Sequence, residues 1–379
     1  MTPRQRMLNT LSHKPVDRLP LVEWPIRGAT MAEWIRQGYP QGVPPQEFFG
    51  LDPYMQAFPV NMYMHPPFET TVLKEDDNYK IWQDGLGAIR KDFKTVENEG
   101  FVTRSWLKFP VHDRASFREI TARYNPADSA RFPADFAQKA RVISGGDVAT
   151  HVHFQFLFWN ARDWFGFENL CMLFYDDPAL VHEMFAFITD FVIETFRPVI
   201  HLMDIDLVEI KEDMAYKHAP MISPEMFRKF MLPHYVRVID FFKSNGAKKV
   251  FVDCDGYPGG LIPLWIEAGV DAMTPTEIAA GNDVAKLQKE YPGFGLFGGV
   301  DKRVLAQDKG AIYDMVKALL PCIEKGGFIP HVDHAIPHNV PLENYIYFRD
   351  LIIPIPDKNL TKICEDFAAS LGGTDAACP

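Results

Sequence analysis

The chain has 379 residues, of which 47% are apolar and 13% aromatic, so it can bury one large core or two ordinary ones. Its formal net charge of -11 and the lack of a lysine and arginine run exclude the basic face that nucleic-acid binding requires. No apolar run is long enough to span a bilayer, and the first residues lack the apolar core of a signal peptide. We therefore expect a cytoplasmic protein with neither nucleic acid nor membrane as a partner.

The N-terminal third predicts a helix, a strand and a small antiparallel sheet. Apolar spacing predicts a helix over 4–11, followed by a short first strand that ends near Trp24. Helical signals recur in 29–49 but are broken by prolines. Between residues 54 and 110, four segments have β composition and indicate an antiparallel β excursion, namely 70–73, 79–82, 88–93 and 101–107.

Strands and helices then alternate regularly through 142–355. The predicted strands are 148–154, 207–211, 249–252, 272–275, 295–297 and the segment that begins at Phe328. The predicted helices are 164–174, 178–196, one that opens at Ser223, 261–268, 284–290 and 311–320.

This alternation predicts an α/β fold, a (β/α)8 TIM barrel with an N-terminal extension, formed as a single domain over 1–379. Almost every predicted strand stops in polar residues, so we expect the functional face at the carboxyl ends of the strands. A doubly wound open sheet is the alternative, but no G-x-G-x-x-G follows an early strand. The Gly298-Gly299 pair indicates a close backbone approach or an anion-facing turn.

The stretch 328–344, F-I-P-H-V-D-H-A-I-P-H-N-V-P-L-E-N, concentrates ionisable groups behind an apolar strand. Its prolines disfavour a helix across the histidines, so the polar side chains should lie on an extended segment and the loop after it. Asp333 and His334 follow directly on the buried run. They form a candidate site, although loop histidines are also often merely solvated.

Carboxylates also follow two earlier strands. Asp253 and Asp255 occupy alternate positions at one strand end, so their repulsion should raise one pKa unless a cation intervenes. Cys254 between them should face the opposite way, as a core thiol rather than a ligand. Glu277, after the next strand, is either a proton donor or a helix N-terminal charge.

The chain resembles the uroporphyrinogen decarboxylase (URO-D) superfamily, which also contains cobalamin-dependent methyltransferases. Its order and spacing agree over nearly the whole length. The matching segments are Thr2-Pro-Arg-Gln-Arg-Met with Val16-Asp-Arg-Leu-Pro20, Ser223-Pro-Glu-Met-Phe-Arg with Pro233-His-Tyr, Gly269-Val-Asp-Ala-Met with Glu277-Ile-Ala-Ala-Gly-Asn-Asp283, Gly298-Gly-Val-Asp-Lys-Arg-Val-Leu305 and Pro341-Leu-Glu-Asn344.

Differences from the family pattern indicate which branch of the family, the decarboxylases or the methyltransferases, the chain resembles more. The decarboxylases carry an Arg-Gln-Ala-Gly-Arg segment, where this chain has Trp24-Pro-Ile-Arg27-Gly-Ala-Thr, so one arginine is missing and a tetrapyrrole with eight carboxylates is disfavoured. The zinc methyltransferases carry His-x-Cys-Gly and a Gly-Cys pair. The resemblance places Asp253 and Asp255 at the first motif and His334 near the last cysteine, a set suited to a harder divalent metal or to acid and base work without metal. Glu212 or Glu209 is a further oxygen donor.

The cysteines fit a reducing compartment, because they are five in number, widely spaced and without a CxxC. This spacing also excludes an all-cysteine zinc site. The five are Cys171, Cys254, Cys322, Cys364 and Cys378.

The resemblance implies a methyltransferase, a demethylase that moves a methyl group from a small O-methyl or N-methyl substrate, such as a methoxyaromatic, to a corrinoid (cobalamin) on a partner protein. The alternatives are a decarboxylase or lyase of a small carboxylic acid that needs no corrinoid, and a non-catalytic binding protein. The predicted catalytic residues are Asp253, Asp255, Glu277 and His334, with Asp255 and His334 also as ligands of a possible divalent metal such as zinc. The predicted substrate contacts are Arg27, His151, His153, Glu212, Asp213, Tyr257, Lys302 and His331.

Overall fold

The computed structural model describes residues 1–96 and 102–353. Three predicted features lie outside these residues in whole or in part. They are the start of the strand predicted at 101–107, the end of the 142–355 repeat region with the rest of the predicted domain, and the two cysteines Cys364 and Cys378.

The helices surround a parallel sheet and follow most of its strands. Their bounds are α1 Pro3–Leu11, α2 Gly28–Arg36, α3 Pro45–Phe48, α4 Arg114–Thr121, α5 Phe136–Ser144, α6 Leu157–Phe165, α7 Phe167–Asp176, α8 Pro178–Phe196, α9 Pro224–Met226, α10 Leu232–Ser244, α11 Ile262–Ala268, α12 Val284–Glu290, α13 Lys302–Leu305, α14 Lys309–Glu324 and α15 Leu342–Ile352. Short 3-10 turns cover Ser129–Arg131, Ile200–Leu202, Gly259–Leu261 and Ile278–Ala280, and a π-helical turn covers Phe227–Met231.

The strands form a seven-stranded parallel sheet, a four-stranded antiparallel sheet and a two-stranded ribbon within the described chain. Their bounds are β1 Gln56–Ala57, β2 Thr71–Glu75, β3 Tyr79–Gln83, β4 Ile89–Val96, β5 Val102–Lys108, β6 Thr150–Gln155, β7 Leu207–Lys211, β8 Ala215–Tyr216, β9 Ala219–Pro220, β10 Lys249–Asp253, β11 Ala272–Thr276, β12 Gly295–Val300 and β13 Phe328–Val332. The parallel order is β1-β6-β7-β10-β11-β12-β13, and the antiparallel order is β2-β3-β4-β5. The predicted α/β barrel class and the antiparallel excursion before it are both confirmed.

The interior of the parallel sheet is apolar at the end where the strands begin. One residue from each of five strands joins a buried cluster there, and α1 closes it with Met7 and Leu11. Two residues further along, four of these five strands carry a polar side chain on the same inner face, because alternate side chains of a strand point to the same face. The five strand residues are Leu207, Phe251, Ala272, Phe297 and Ile329.

The short first strand predicted to end near Trp24 is wrong, because its residues do not form a hydrogen-bonded strand ladder. This segment has no regular strand structure, although it lies between β13 and the residues that lead into β1. The backbone groups of Leu21 bond to the backbone and carboxylate of Asp52, and the N–H of Val332 donates to the carboxylate of Glu23 at 3.3 Å. Carboxylates thus accept the hydrogen bonds that strand carbonyls would accept in a ladder, and Pro20 within the segment has no N–H donor.

The helix predicted at 164–174 is also corrected. The structure has two helices there, α6 and α7, which meet at Gly166 with a φ of 80°. A β-carbon at this glycine would lie 2.2 Å from the ring of Phe109, so only glycine fits the break.

No helix of the described residues combines the length and the hydropathy needed to cross a membrane.

Candidate active site

The mouth of the barrel, at the carboxyl ends of the strands, holds a histidine and carboxylate pair. Asp255 comes two residues after β10, and His334 comes two residues after β13. The Nε2 atom of His334 lies 3.2 Å from Oδ2 of Asp255, within hydrogen-bonding distance. Their side chains are 22% and 42% exposed respectively, so solvent or a small molecule reaches both. The structure therefore brings together two predicted site residues from distant segments.

Glu277 and Lys302 form a second pair beside the first. Glu277 follows β11, and its Oε1 accepts a hydrogen bond from Lys302 Nζ at 2.8 Å. Its Oε2 accepts from the backbone N–H of Gly256 at 3.0 Å. Since Gly256 is the neighbour of Asp255, this bond fixes the loop after β10 against the loop after β11.

Two cavities open at this mouth, and Glu277 lines both. The first, called here the His334 cavity, has a volume of about 250 Å³. The second, called here the Asp255 cavity, has a volume of about 380 Å³. The hydrogen bond between His334 and Asp255 joins the linings of the two. The His334 cavity is lined by Arg27, Ala29, Thr30, Glu277, Lys302, His334, Ala335, Ile336, Pro337 and His338, and the Asp255 cavity by Ala215, Tyr216, Lys217, Asp255, Gly256, Glu277, Ala279, Ala280 and Arg303.

Buried Asp333 supports the floor of this mouth. Its Oδ2 accepts hydrogen bonds from the backbone N–H groups of Ile278 and Ala279, at 2.8 and 3.2 Å, and its Oδ1 accepts from that of Lys302 at 3.2 Å. Burial raises the pKa of this carboxyl, whereas Lys302 acts in the opposite direction. Asp333 thus holds the backbone on which Glu277 and Lys302 are placed.

Glu212, which was predicted as a substrate contact, instead supports the backbone at the start of α6. Its carboxylate is fully buried and accepts hydrogen bonds from three successive backbone N–H groups at the start of α6, those of Leu157, Phe158 and Trp159. It also accepts from the hydroxyl of Tyr235 at 2.9 Å. Burial raises its pKa to about 7, against four donors that favour the ionised form. All of its bonding capacity is used within the fold.

Asp213 lies at the edge of the mouth in a left-handed backbone conformation, with a φ of 42°. Arg162 donates to its carbonyl at 2.8 Å and to its Oδ2 at 3.1 Å. Burial is the main cause that raises the pKa of Asp213, and the negative charge of nearby Asp255 adds to it. A predicted substrate contact is therefore close to the pair but already bound to an arginine.

Asp253 lies below Asp255, deeper in the barrel. Burial raises its pKa well above the ordinary value, and the charge of Glu209 adds to this more than that of Asp255 does. The expected rise thus falls on Asp253, but burial rather than the pairing of the two aspartates dominates it. Cys254 between them is buried, accepts a hydrogen bond from Met214 N and belongs to the hydrophobic core, as predicted for a core thiol.

A polar layer fills the barrel beneath the mouth. His151 and His153 of β6 stack at 5.3 Å between ring centroids, and Glu209 of β7 lies beside them. Lys211 Nζ is 3.3 Å from Glu209 Oε1. Burial lowers the pKa of His151 to about 3 and also lowers that of His153, so burial favours the uncharged form of both imidazoles. The two histidines were predicted as substrate contacts, whereas Lys211 was not predicted. Its alternation with Glu209 along β7 is the sequence signal that places both on the same face.

His331 is completely buried in the same layer. Its Nδ1 is 2.8 Å from the carbonyl of Val332, and its ring lies 6.4 Å from Trp24 and 6.1 Å from Tyr54, between centroids. Burial lowers its pKa to about 4.

Two predicted substrate contacts, His331 and Tyr257, line neither mouth cavity. Arg27 and Lys302, by contrast, do line the His334 cavity. His338 lines it too, and proximity to His334 in the sequence was the only signal for it.

The residues at the family's metal positions do not fit a three-ligand metal site. Of the described residues, one group of at least three histidine, cysteine or carboxylate side chains has its ligand atoms all within 4.8 Å of one another, and that group is His151, His153 and Glu209. Asp255 and His334 form a pair that Asp253 does not complete. A catalytic zinc is held by three protein ligands, so two are too few.

The chain is similar to known proteins in its sequence family and in its fold. A family model described as uroporphyrinogen decarboxylase (URO-D) matches residues 162–353, just over half of the chain. A methyltransferase from Methanosarcina mazei superposes with a TM-score of 0.57 at 17% identity, over 92% of this chain and 98% of that one. A B12-independent methionine synthase from Shewanella reaches a TM-score of 0.41 at 10% identity, over 94% and 96%. At 17% identity the likeness to the Methanosarcina methyltransferase concerns the fold alone. Comparison with curated proteins gave no match.

Proposed function

The chain belongs to the uroporphyrinogen decarboxylase family, and on this premise we propose that it is a methyltransferase. It removes a methyl group from a small O-methyl or N-methyl compound, with a methoxyaromatic as the leading class. The acceptor is a corrinoid (cobalamin) held by a separate protein.

The observation that carries this proposal is the pairing of His334 with Asp255 at 3.2 Å, next to Glu277, at the junction of two cavities. Loss of a methyl group leaves an alkoxide, a phenolate or an amine that departs poorly unless it is protonated. A histidine oriented by a carboxylate is a suitable proton donor at such a place. One cavity can hold the compound and the other can admit the methyl acceptor.

The residues of this chain then have distinct roles. A reduced corrinoid on the partner protein would supply the nucleophile that accepts the methyl group from the leaving atom. The bond between the methyl carbon and that atom breaks, and its electron pair stays on the leaving atom. Protonated His334 donates the proton of its other ring nitrogen, Nδ1, there, while the contact of Nε2 with Asp255 holds the ring in orientation. Water restores the proton to His334 after the product leaves.

The charges at the mouth disfavour a tetrapyrrole with many carboxylates. Among the described residues, the lysine and arginine side chains that line the His334 cavity are Arg27 and Lys302, and Lys302 is already paired with Glu277. A volume of about 250 Å³ is also at or below the lower end for small-molecule sites. Both features favour a small substrate with few negative charges.

The second candidate function is decarboxylation of a small acid. Arg27 and Lys302 face the same cavity and supply the positive charge that a carboxylate substrate requires. This reaction needs no corrinoid.

The two functions are separated by incubating candidate methoxy, methylamine and small-acid compounds with the protein, with and without a reduced corrinoid protein. Methyl transfer predicts demethylated product only when the corrinoid is present and no carbon dioxide. Release of carbon dioxide without corrinoid would replace the proposal by the decarboxylase, and no turnover of any compound would favour a binding protein.

A further inference from the structure

We propose that His151, His153 and Glu209 bind a divalent first-row transition metal ion inside the barrel, beneath the mouth and separate from the His334–Asp255 pair. Nothing in the proposed methyl transfer requires this ion.

Strand register places the ligands together. His151 and His153 are alternate residues of β6, so both side chains point to the same face. His153 is in register with Glu209 on the neighbouring parallel strand β7. Three ligands thus arise from two adjacent, hydrogen-bonded strands, and such rigid elements hold a metal site with little reorganisation.

The distances between the ligand atoms fit one ion. Nδ1 of His153 lies 3.3 Å from Nε2 of His151, and that Nε2 lies 3.6 Å from Oε2 of Glu209. Zinc lies about 2.0–2.2 Å from nitrogen and oxygen ligands, so tetrahedral ligands are separated by roughly 3.4 Å. The observed spacings are close to this value.

The chemistry of the donors also fits. Two imidazoles and one carboxylate are ligands for zinc, iron, cobalt or manganese, and three ligands leave positions open for water. The two oxygens of Glu209 are divided between partners: Oε1 faces Lys211 at 3.3 Å, and Oε2 faces His151. One carboxylate oxygen is therefore directed at the histidines and available to an ion. His151 and Glu209 are each 12% exposed, so the site is not sealed.

The competing explanation is a hydrogen bond between the two imidazoles without metal. In that case one ring donates its proton to the other across the 3.3 Å contact. An ion displaces that proton, because each ligand nitrogen must offer its lone pair.

The test is a titration of the full chain with Co²⁺ after removal of metals by a chelator. Visible absorption of the bound cobalt reports its ligands, and elemental analysis reports the number of ions per chain. We expect one ion per chain for the wild type. His153→Ala and Glu209→Gln should weaken binding by at least about tenfold. The matched variants His334→Ala and Asp255→Asn remove a histidine and a carboxylate at the mouth, and they should bind cobalt as the wild type does.

Two results would overturn the proposal. One is a wild-type chain that binds no cobalt in the titration, a result that does not depend on how any variant folds. The other is loss of cobalt in the mouth variants with retention in Glu209→Gln, which would place the ion at Asp255 and His334. Far-ultraviolet circular dichroism of each variant identifies unfolded protein, and His153→Gln replaces His153→Ala if the smaller side chain prevents folding.

Discussion

His334 and Asp255 are 79 residues apart in the chain, yet Nε2 of one lies 3.2 Å from Oδ2 of the other. The contact exists because β10 and β13 end at the same edge of a parallel sheet, with β11 and β12 between them. Because the pair is partly exposed, a substrate can reach it. Its contribution to the free energy of unfolding should be small, since exposed ion pairs contribute only about 0–1 kcal/mol.

The pair should therefore matter for turnover rather than for folding. We expect His334→Ala to lower kcat by roughly 10²- to 10⁴-fold, the usual loss for a general acid, and Asp255→Asn to lower it in the same direction. The melting temperature should change little in both. His65→Ala is a matched control, because His65 also pairs with an aspartate, Asp128, outside the two mouth cavities. Turnover by His334→Ala equal to that of the His65→Ala control would contradict the assignment.

Arg27 should sense substrate charge. Replacement of Arg27 by Gln should reduce kcat/KM by about tenfold or more for a substrate that carries a carboxylate, because a charge-assisted hydrogen bond is lost. For an uncharged methoxy compound the change should be small. Arg303→Gln is the control, since Arg303 lines the Asp255 cavity but is bound to Asp301. Equal losses of kcat/KM for charged and uncharged substrates would show that Arg27 does not bind the substrate's carboxylate.

Buried His331 should contribute an acid-sensitive part of the protein's stability, whereas burial of its neighbour Glu23 acts in the opposite direction by raising the pKa of that carboxyl to about 7. The pKa of His331 is about 4 in the folded chain against an ordinary value of 6.5, so between these values the unfolded state binds more protons. The free energy of unfolding then falls as the pH falls from 6.5 to 4, by about 3 kcal/mol for this residue. Its contribution is fully present above pH 6.5.

The measurement is denaturant unfolding of wild type and His331→Asn across that range. The asparagine does not titrate, so the variant's deficit in stability, caused by lost ring contacts, should shrink toward pH 4. The exposed His218 supplies the control His218→Asn, which should follow the wild type at every pH. A deficit that stays constant with pH would refute a neutral, buried His331.

Gly298 should resist substitution. It has a φ of 98°, and a β-carbon there would lie 2.9 Å from the backbone nitrogen of Thr276. We expect Gly298→Ala to destabilise the fold by about 1–3 kcal/mol. Gly281 has a similar φ of 95° but open space around the β-carbon position, so Gly281→Ala isolates the backbone strain and should cost less. If denaturant unfolding showed equal losses of unfolding free energy in the two variants, the close approach to Thr276 would not contribute to the destabilisation of Gly298→Ala.

Local sequence patterns predicted much of this fold. The bounds of β7 and α12 agree with the predicted 207–211 and 284–290, because apolar periodicity and caps are encoded within a few residues. The Gly298-Gly299 pair does mark a close backbone approach, since a β-carbon at Gly298 would lie 2.9 Å from the backbone nitrogen of Thr276. Strand ends also located Asp255, Glu277 and His334 at one mouth.

Long-range partners account for what the sequence did not predict. The segment that ends near Trp24 was predicted as a strand. Instead, the N–H of Leu21 donates to the side chain of Asp52, and the N–H of Val332 in β13 donates to the side chain of Glu23, partners that no local pattern reveals. Glu212 looked like a mouth carboxylate, and only the start of α6 shows where its bonds are used. The His151, His153 and Glu209 group needs the register of β6 on β7, and register is a property of the folded sheet.

The central claim is that the His334–Asp255 pair assists departure of a demethylated product. The most direct measurement is the single-turnover rate of corrinoid methylation, followed by absorbance, for a methoxy substrate with wild type, His334→Ala and Asp255→Asn. The proposal predicts a rapid change with wild type and a rate lower by orders of magnitude with both variants. Methylation at wild-type rates in both variants, or a substrate consumed with release of carbon dioxide while the corrinoid stays unmethylated, would contradict it.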